Sequence, residues 1–208
     1  MTDEKPLVYV VDDDPSVLRS VERLLRSVGY DLETFTSAQE FLDFQHPDTP
    51  SCLILDVKMP GLSGLELQER LTDKEISLPI IFITGHGTVP ASVKAMKAGA
   101  VDFLLKPFSP TDLLETIAKA LEKDRQAKQY ERELKQLRER SKTLTPREYE
   151  VFGLVVSGML NKQIAFDLGT TEKTIKVHRA RIIEKMGAKS LADLVRFAEK
   201  LGIRSKAL

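Results

Sequence analysis

Four near-continuous apolar runs, Leu7–Val11, Cys52–Leu55, Ile80–Ile83 and Val101–Leu105, are short and rich in β-branched residues. That is the pattern of strands buried in a parallel sheet. Asp31–Phe35 supplies a further strand, and helical stretches separate them: Ser16–Val28, Ala38–Phe44, Gly64–Leu71, Pro90–Ala98 and Thr111 onward. Turn chemistry falls between the elements, with Gly29 after the first helix, Met59-Pro60-Gly61 after the third strand and Gly99 after the fourth helix. Alternation of this kind predicts an α/β fold, a doubly wound five-stranded parallel sheet.

The last of these helices meets no glycine or proline between residues 112 and 142. Ala127, Tyr130, Leu134, Leu137 and Leu144 recur at heptad-like steps, which predicts a helical rod that pairs with a second copy, or an amphipathic linker lying on its own domain. From Leu144 the pattern changes to four short helices. Thr145-Pro146-Arg147-Glu148 is a capping box with proline at the first helical position. Asn161 is expected to cap a helix to Leu168, Thr171 a longer one to Met186, and Ser190 a last one through Leu201, with Gly169 and Gly187 in the turns. The organisation read from these changes is a domain at 6–122, a helical linker at 123–142 and an all-α four-helix domain with a central helix-turn-helix at 143–208.

Charge sharpens the division. Formal net charge is zero, yet residues 1–122 hold 11 Lys/Arg against 20 Asp/Glu, 123–140 hold 7 against 4, and 141–208 hold 13 against 7. A basic tail behind an acidic front suits binding to a polyanion. The single cysteine, Cys52, lies in a buried run and reads as a small core hydrophobe. The polar start, Met1–Pro6, has no signal-peptide character and no apolar stretch spans a bilayer, so a cytoplasmic protein without membrane contact is expected.

Open α/β sheets bind ligands at the carboxyl ends of their strands. Asp12 and Asp13, Asp56, Thr84 and Lys106 all stand there. Clustered carboxylates repel unless a cation enters, and oxygen ligands suit a hard divalent ion, Mg²⁺, that leaves positions for phosphate oxygens. Asp56, alone on the central strand, is the expected nucleophile, giving an acyl phosphate. Lys106 and the Thr84 hydroxyl would hold phosphoryl oxygens. A rival reading takes Asp12-Asp13-Asp14-Pro15-Ser16 as the nucleophile motif of haloacid-dehalogenase-like phosphatases, with Asp12 as nucleophile and Asp14 as acid/base. It leaves Asp56 and Lys106-Pro107 unused. His46, His86 and His178 suggest no metal site or triad.

On the helix Glu172–Met186, Ile175, Ile182 and Met186 fall on one side. They should pack against Ile164, Ala165, Leu168, Val155 and Leu194. The other side carries Lys173, Lys176, Val177, Ala180 and Arg181, as a helix lying in a major groove requires.

VVDDD, LILDVKMPGLSG, IFITGHG and KAGAVDFLLKPF resemble the blocks of two-component response-regulator receiver domains, over residues 6 to about 122. LTPREYEVFGLVVSGMLNKQIAFDLGTTEKTIKVHRARIIEKMGAKSLADLV resembles a LuxR/NarL-type DNA-binding domain, and the whole chain is similar to the FixJ-like subset of that family. The resemblance implies strand order 2-1-3-4-5 and a non-enzymatic transcriptional regulator, switched when Asp56 takes a phosphoryl group from a sensor histidine kinase. It implies Mg²⁺ on Asp13, Asp56 and the Lys58 backbone carbonyl, with Asp12 acting through water, a Thr84–Phe103 switch pair and a cis Lys106–Pro107 bond. Phosphorylation would reshape the surface around Val93, Lys97 and Asp102 and favour a homodimer bound to double-stranded promoter DNA, with RNA polymerase as a further partner. Lys176 and Val177 would reach base edges. Asn161, Lys162, Thr171, Lys173, Thr174, His178, Arg179 and Arg181 would contact phosphates or the groove rim, with Ala180 on the same face. Glu148 would complete its cap and pair with a cation such as Arg179, and Leu191–Leu201 would dimerise on DNA. Phe166 and Gly153 depart from the family pattern. A phosphoryl sink or a protein–protein adaptor are the other functions this arrangement allows.

Overall fold

Parallel strands β1 (Leu7–Val11), β2 (Asp31–Phe35), β3 (Ser51–Asp56), β4 (Ile80–Thr84) and β5 (Asp102–Leu105) form one sheet in the order β2-β1-β3-β4-β5. They belong to a computed structural model that describes residues 5–85 and 89–203, so His86 lies outside the described residues. Successive strand residues face opposite sides, and the two sides have separate cores. Tyr9, Val11, Leu53, Leu55 and Phe82 pack with α2 (Ala38–Asp43), α3 (Gly64–Asp73) and α4 (Val89–Lys97). Val8, Val10, Cys52, Ile54, Ile81 and Ile83 pack with α1 (Pro15–Ser27) and the first turns of α5 (Pro110–Lys142). Alternate strand residues thus serve opposite layers, which is why the central runs are apolar throughout.

The strands depart from the expected pattern at their ends and at the sheet edge. β3 and β4 each reach one residue further, so that Asp56 and Thr84 are the last strand residues rather than the first loop residues. β5 is not buried on both faces: it has a strand neighbour on one side only, and Leu105 at its end is 58% exposed.

The chain divides into two compact units after Lys128, inside α5. In the first unit Asp124, within the polar stretch 122–126, is only 3% exposed. Its carboxylate accepts the Ser51 N–H at 2.8 Å and pairs with Lys128 at 3.0 Å. This ties α5 to the start of β3.

In the second unit Leu137 and Leu144 of the heptad stripe join the core of α6 (Pro146–Val156), α7 (Asn161–Asp167), α8 (Glu172–Met186) and α9 (Leu191–Lys200). Ile175, Ile182 and Met186 are buried there with Val155, Ile164, Ala165 and Leu194, and Leu168 packs against them. Thr171 and Ser190 cap α8 and α9 through their side chains. Asn161 does not cap α7. Leu160 holds that position, its N–H donating to the Gln163 side chain at 2.8 Å, while the Asn161 carboxamide oxygen accepts from Arg179 Nη1 at 3.0 Å.

Glu148 completes the capping box with Thr145, but its ion-pair partner is Lys185 at 2.6 Å rather than Arg179, which is turned toward Asn161. The Lys185 hydrogen bond, with the Thr145 cap, pulls the Glu148 carboxyl down to about 2. A carboxyl lowered in the folded state stabilises fully above its unfolded value near 4.3, and that stabilisation is lost as pH falls toward 2. Glu148→Gln should therefore cost on the order of 2 kcal/mol at pH 5 and much less near pH 2. Urea unfolding followed by amide NMR of α6–α8 checks this; a cost independent of pH would show that the pair is not responsible.

Candidate functional site

The carboxyl ends of β1 and β3 bring Asp12, Asp13 and Asp56 together, one oxygen of each within 4.8 Å of the others. Asp12 is fully buried, Asp56 nearly so and Asp13 exposed, so the cluster has a closed floor and an open mouth. Just past β5, Lys106 Nζ donates to Asp12 Oδ2 and, at 2.9 Å, to Asp56 Oδ2. Asp12 Oδ1 takes the Asp14 N–H at 2.9 Å, and Asp56 Oδ1 takes the Lys58 N–H at 3.2 Å, which holds the Lys58 backbone at the cluster. Burial pushes the Asp12 carboxyl up, against the pull of Lys106. Burial pulls Lys106 down, but its bonds to Asp12 and Asp56 outweigh that and hold the ammonium above its ordinary value.

Thr84 closes the β4 side, buried, its carbonyl accepting the Lys106 N–H at 2.8 Å. Strand register pairs Thr84 with Leu105 and Phe82 with Phe103. Thr84 and Phe103 therefore lie on the same face of neighbouring strands, with the half-buried Phe103 ring 6.2 Å from that of Phe82. The Lys106–Pro107 bond is cis, as expected.

In the second unit the exposed side of α8 carries Lys173, Lys176, Val177, Ala180 and Arg181, with Thr174, His178 and Arg179 half-buried beside them. Val177 is 45% exposed, an apolar group in a basic surface, which suits contact with a base methyl. Thr171 and Lys162 are exposed at the starts of α8 and α7. Arg147 Nη2 donates to the Leu168 carbonyl at 2.7 Å, bracing the turn between those helices.

The family model of the response regulator receiver domain matches residues 8–118, and that of the bacterial regulatory proteins of the luxR family matches residues 142–198. The chain belongs to the LuxR-type response regulators. Nodulation protein W of Bradyrhizobium diazoefficiens is 50% identical over 199 residues, covering 96% of this chain and 88% of that one. Transcriptional regulatory protein FixJ of Rhizobium meliloti is 44% identical over 191 residues, covering 92% and 94%. The solved structure of response regulator StyR, 47% identical, superposes with a TM-score of 0.85 over 94% of this chain and 99% of that one. This response regulator is thus a transcriptional regulator of a two-component system, a class whose architecture implies a kinase partner and DNA. No helix among its described residues is long and apolar enough to cross a membrane.

The acidic cluster of this response regulator fits a divalent cation. Three carboxylates face one ammonium, so two negative charges are left over, and every donor is a hard oxygen. Two further residues shape the site, one by its lack of a side chain and one by capping. Gly64, at the start of α3, lies against the Asp56 carbonyl, where a Cβ would fall 2.1 Å from that oxygen. Asp14 caps α1: the Ser16 hydrogen bonds hold its carboxyl below the usual range and occupy it. That leaves it poorly suited to the acid/base part the phosphatase reading assigned it.

Proposed function

We propose that Asp56 accepts a phosphoryl group from a sensor histidine kinase in a Mg²⁺-dependent step, and that the phosphorylated chain dimerises to bind promoter DNA. The observation that carries this reading is the Asp12–Asp13–Asp56 cluster with Lys106 bridging its two buried members. An Asp56 oxygen attacks the phosphorus of phosphohistidine, the P–N bond breaks, imidazole leaves with the bond pair, and an acyl phosphate remains. Asp13, Asp56 and the Lys58 carbonyl would hold Mg²⁺, with Asp12 acting through water; when bound, the ion would neutralise charge on the phosphoryl oxygens. Lys106, already paired to Asp56, is placed to move onto a phosphoryl oxygen, and the Thr84 hydroxyl serves another. The chain acts here as acceptor and switch rather than as an enzyme.

Thr84 drawn toward the phosphoryl group vacates space on the face that Phe103 shares, and the ring turns inward. The adjacent surface holds exposed Val93, Met96 and Leu105 among Lys97 and Asp102, an apolar patch suited to a second copy. The phosphoryl group can shift this equilibrium only by its preference for one state. On DNA, Lys176 and Val177 read base edges while Asn161, Lys162, Thr171, Lys173, Thr174, His178, Arg179 and Arg181 line phosphates or the rim, with Ala180 between them and α9 pairing with its copy. RNA polymerase is the further partner, and the cytoplasm the compartment.

Sedimentation velocity with beryllofluoride and Mg²⁺, a mimic of the aspartyl phosphate, tests this directly. A monomer becoming a dimer is the expected result. A bound mimic with unchanged sedimentation would overturn dimerisation as the switch.

A further inference from the structure

The carboxyl end of α8 is held from outside the residues that the luxR-family model matches. A helix leaves its last carbonyls without intrahelical partners. Gly187, left-handed at φ 66°, answers two of them: its N–H donates to Glu184 O at 3.0 Å, and that of Ala188 to Ile183 O at 3.0 Å. The Met186 carbonyl instead accepts from Arg140 Nη1 at 3.1 Å. Arg140 belongs to the last turns of α5, ahead of the matched segment 142–198. A cation is favourable at a helix carboxyl terminus, and the fit here is close. A Cβ on Gly187 would fall 2.6 Å from Arg140 Nη1 and 3.1 Å from its Cζ, so glycine at 187 makes room for the guanidinium as well as for the turn. Lys185 Nζ adds a bond to the Thr143 carbonyl at 3.0 Å, and Leu137, one turn before Arg140, is buried in the core that holds Ile182 and Met186.

We propose that Arg140 is a positioning residue for sequence reading: by gripping the Met186 end of α8, it sets the tilt at which Lys176 and Val177 meet base edges. The inference rests on α8 being the recognition helix, as proposed above. Lys176 lies about 15 Å along the axis from Met186, so a pivot of about 5° there moves it by roughly 1.3 Å. A shift of that size takes a hydrogen bond from good geometry to none. Base-edge contacts tolerate it least, whereas phosphate contacts through long flexible cations tolerate it well. Arg140 Nη1 is engaged by a protein carbonyl, so the positioning role predicts a loss of reading with affinity for random DNA kept.

The test uses the full chain with beryllofluoride and Mg²⁺, a duplex selected by the wild-type protein from a random-sequence pool, and an unselected random duplex as reference. Arg140→Met should lower the ratio of selected to random affinity by about fivefold or more. Affinity for the random duplex and its salt slope should stay unchanged. An unchanged ratio overturns the proposal, as does an equal loss on both duplexes, which would make Arg140 a phosphate contact. Should Arg140→Met lose its cooperative melt, Arg140→Lys, which keeps a cation at the helix end, is judged by the same ratio. Lys176→Ala separates the two readings. If it lowers the ratio and Arg140→Met does not, only the positioning role falls; if neither does, α8 is not the reading helix.

Discussion

Asp56→Asn should abolish labelling of the chain by acetyl phosphate. The carboxamide is nearly isosteric but offers no carboxylate to attack phosphorus, so no acyl phosphate forms. The fold should survive, because the Lys106 ammonium keeps its bond to Asp12 and the Lys58 N–H still finds the carboxamide oxygen. The competing nucleophile is Asp12. It is fully buried, its carboxyl is pushed up by that burial, and its two oxygens are taken by the Asp14 N–H and by Lys106. Asp56 also has both oxygens paired, to the Lys58 N–H and to Lys106, but it is less buried than Asp12 and stands at the end of the central strand. Mass spectrometry of the intact protein after acetyl phosphate treatment reads the result: wild type gains a phosphoryl group, the variant none. A variant that still gains one would move the nucleophile to Asp12 or Asp13 and revive the phosphatase-like reading.

Gly64→Ala should damage both stability and phosphoryl acceptance, although residue 64 carries no functional group. The added Cβ would lie 2.1 Å from the Asp56 carbonyl oxygen and 3.0 Å from its carbon. The obstacle is backbone, held in place because the Gly64 N–H bonds to the Val57 carbonyl at 3.1 Å and the Val57 N–H to the Ile83 carbonyl at 3.1 Å. Relief requires α3 to back away or the end of β3 to move, at a cost of about 2 kcal/mol. Either shift moves the Asp56 carboxylate relative to Asp12 and Lys106, so labelling should slow by about tenfold or more. Gly61→Ala is the internal comparison. Gly61 is left-handed at φ 75° with nothing within 4 Å of a Cβ, so that change adds local strain of about 1 kcal/mol and leaves the labelling rate near wild type. Urea midpoints and labelling rates of the two variants decide the matter. Equal labelling rates would mean that the approach of α3 to β3 does not set the geometry of Asp56.

Much of this molecule was legible before any coordinates. Four of the five strands announced themselves by an apolar run ended by a polar group, because a parallel strand buried in a sheet is apolar until it reaches the solvent at its end, whereas the edge strand β2 mixes polar and apolar residues. Asp12, Asp56, Thr84 and Lys106 were readable for that reason. The caps at Thr145, Thr171 and Ser190 were equally clear, since they act on backbone only three residues away. Asn161 misled because its residue type suits a cap while Arg179, from another helix, offered its carboxamide a charged partner.

Local chemistry, then, lay in the sequence by itself: which residues form strands and helices, where they stop, and which groups stand at the strand ends. Tertiary structure decided what those groups touch. That Lys106 bridges Asp12 and Asp56, that Glu148 pairs with Lys185, that Asp124 secures the start of β3 and that Arg140 closes the end of α8 are contacts between residues 94, 50, 37, 73 and 46 positions apart. No periodicity encodes such pairs. A side chain's partner depends on which elements pack together and at what register, and that follows from burying the apolar faces of all of them at once.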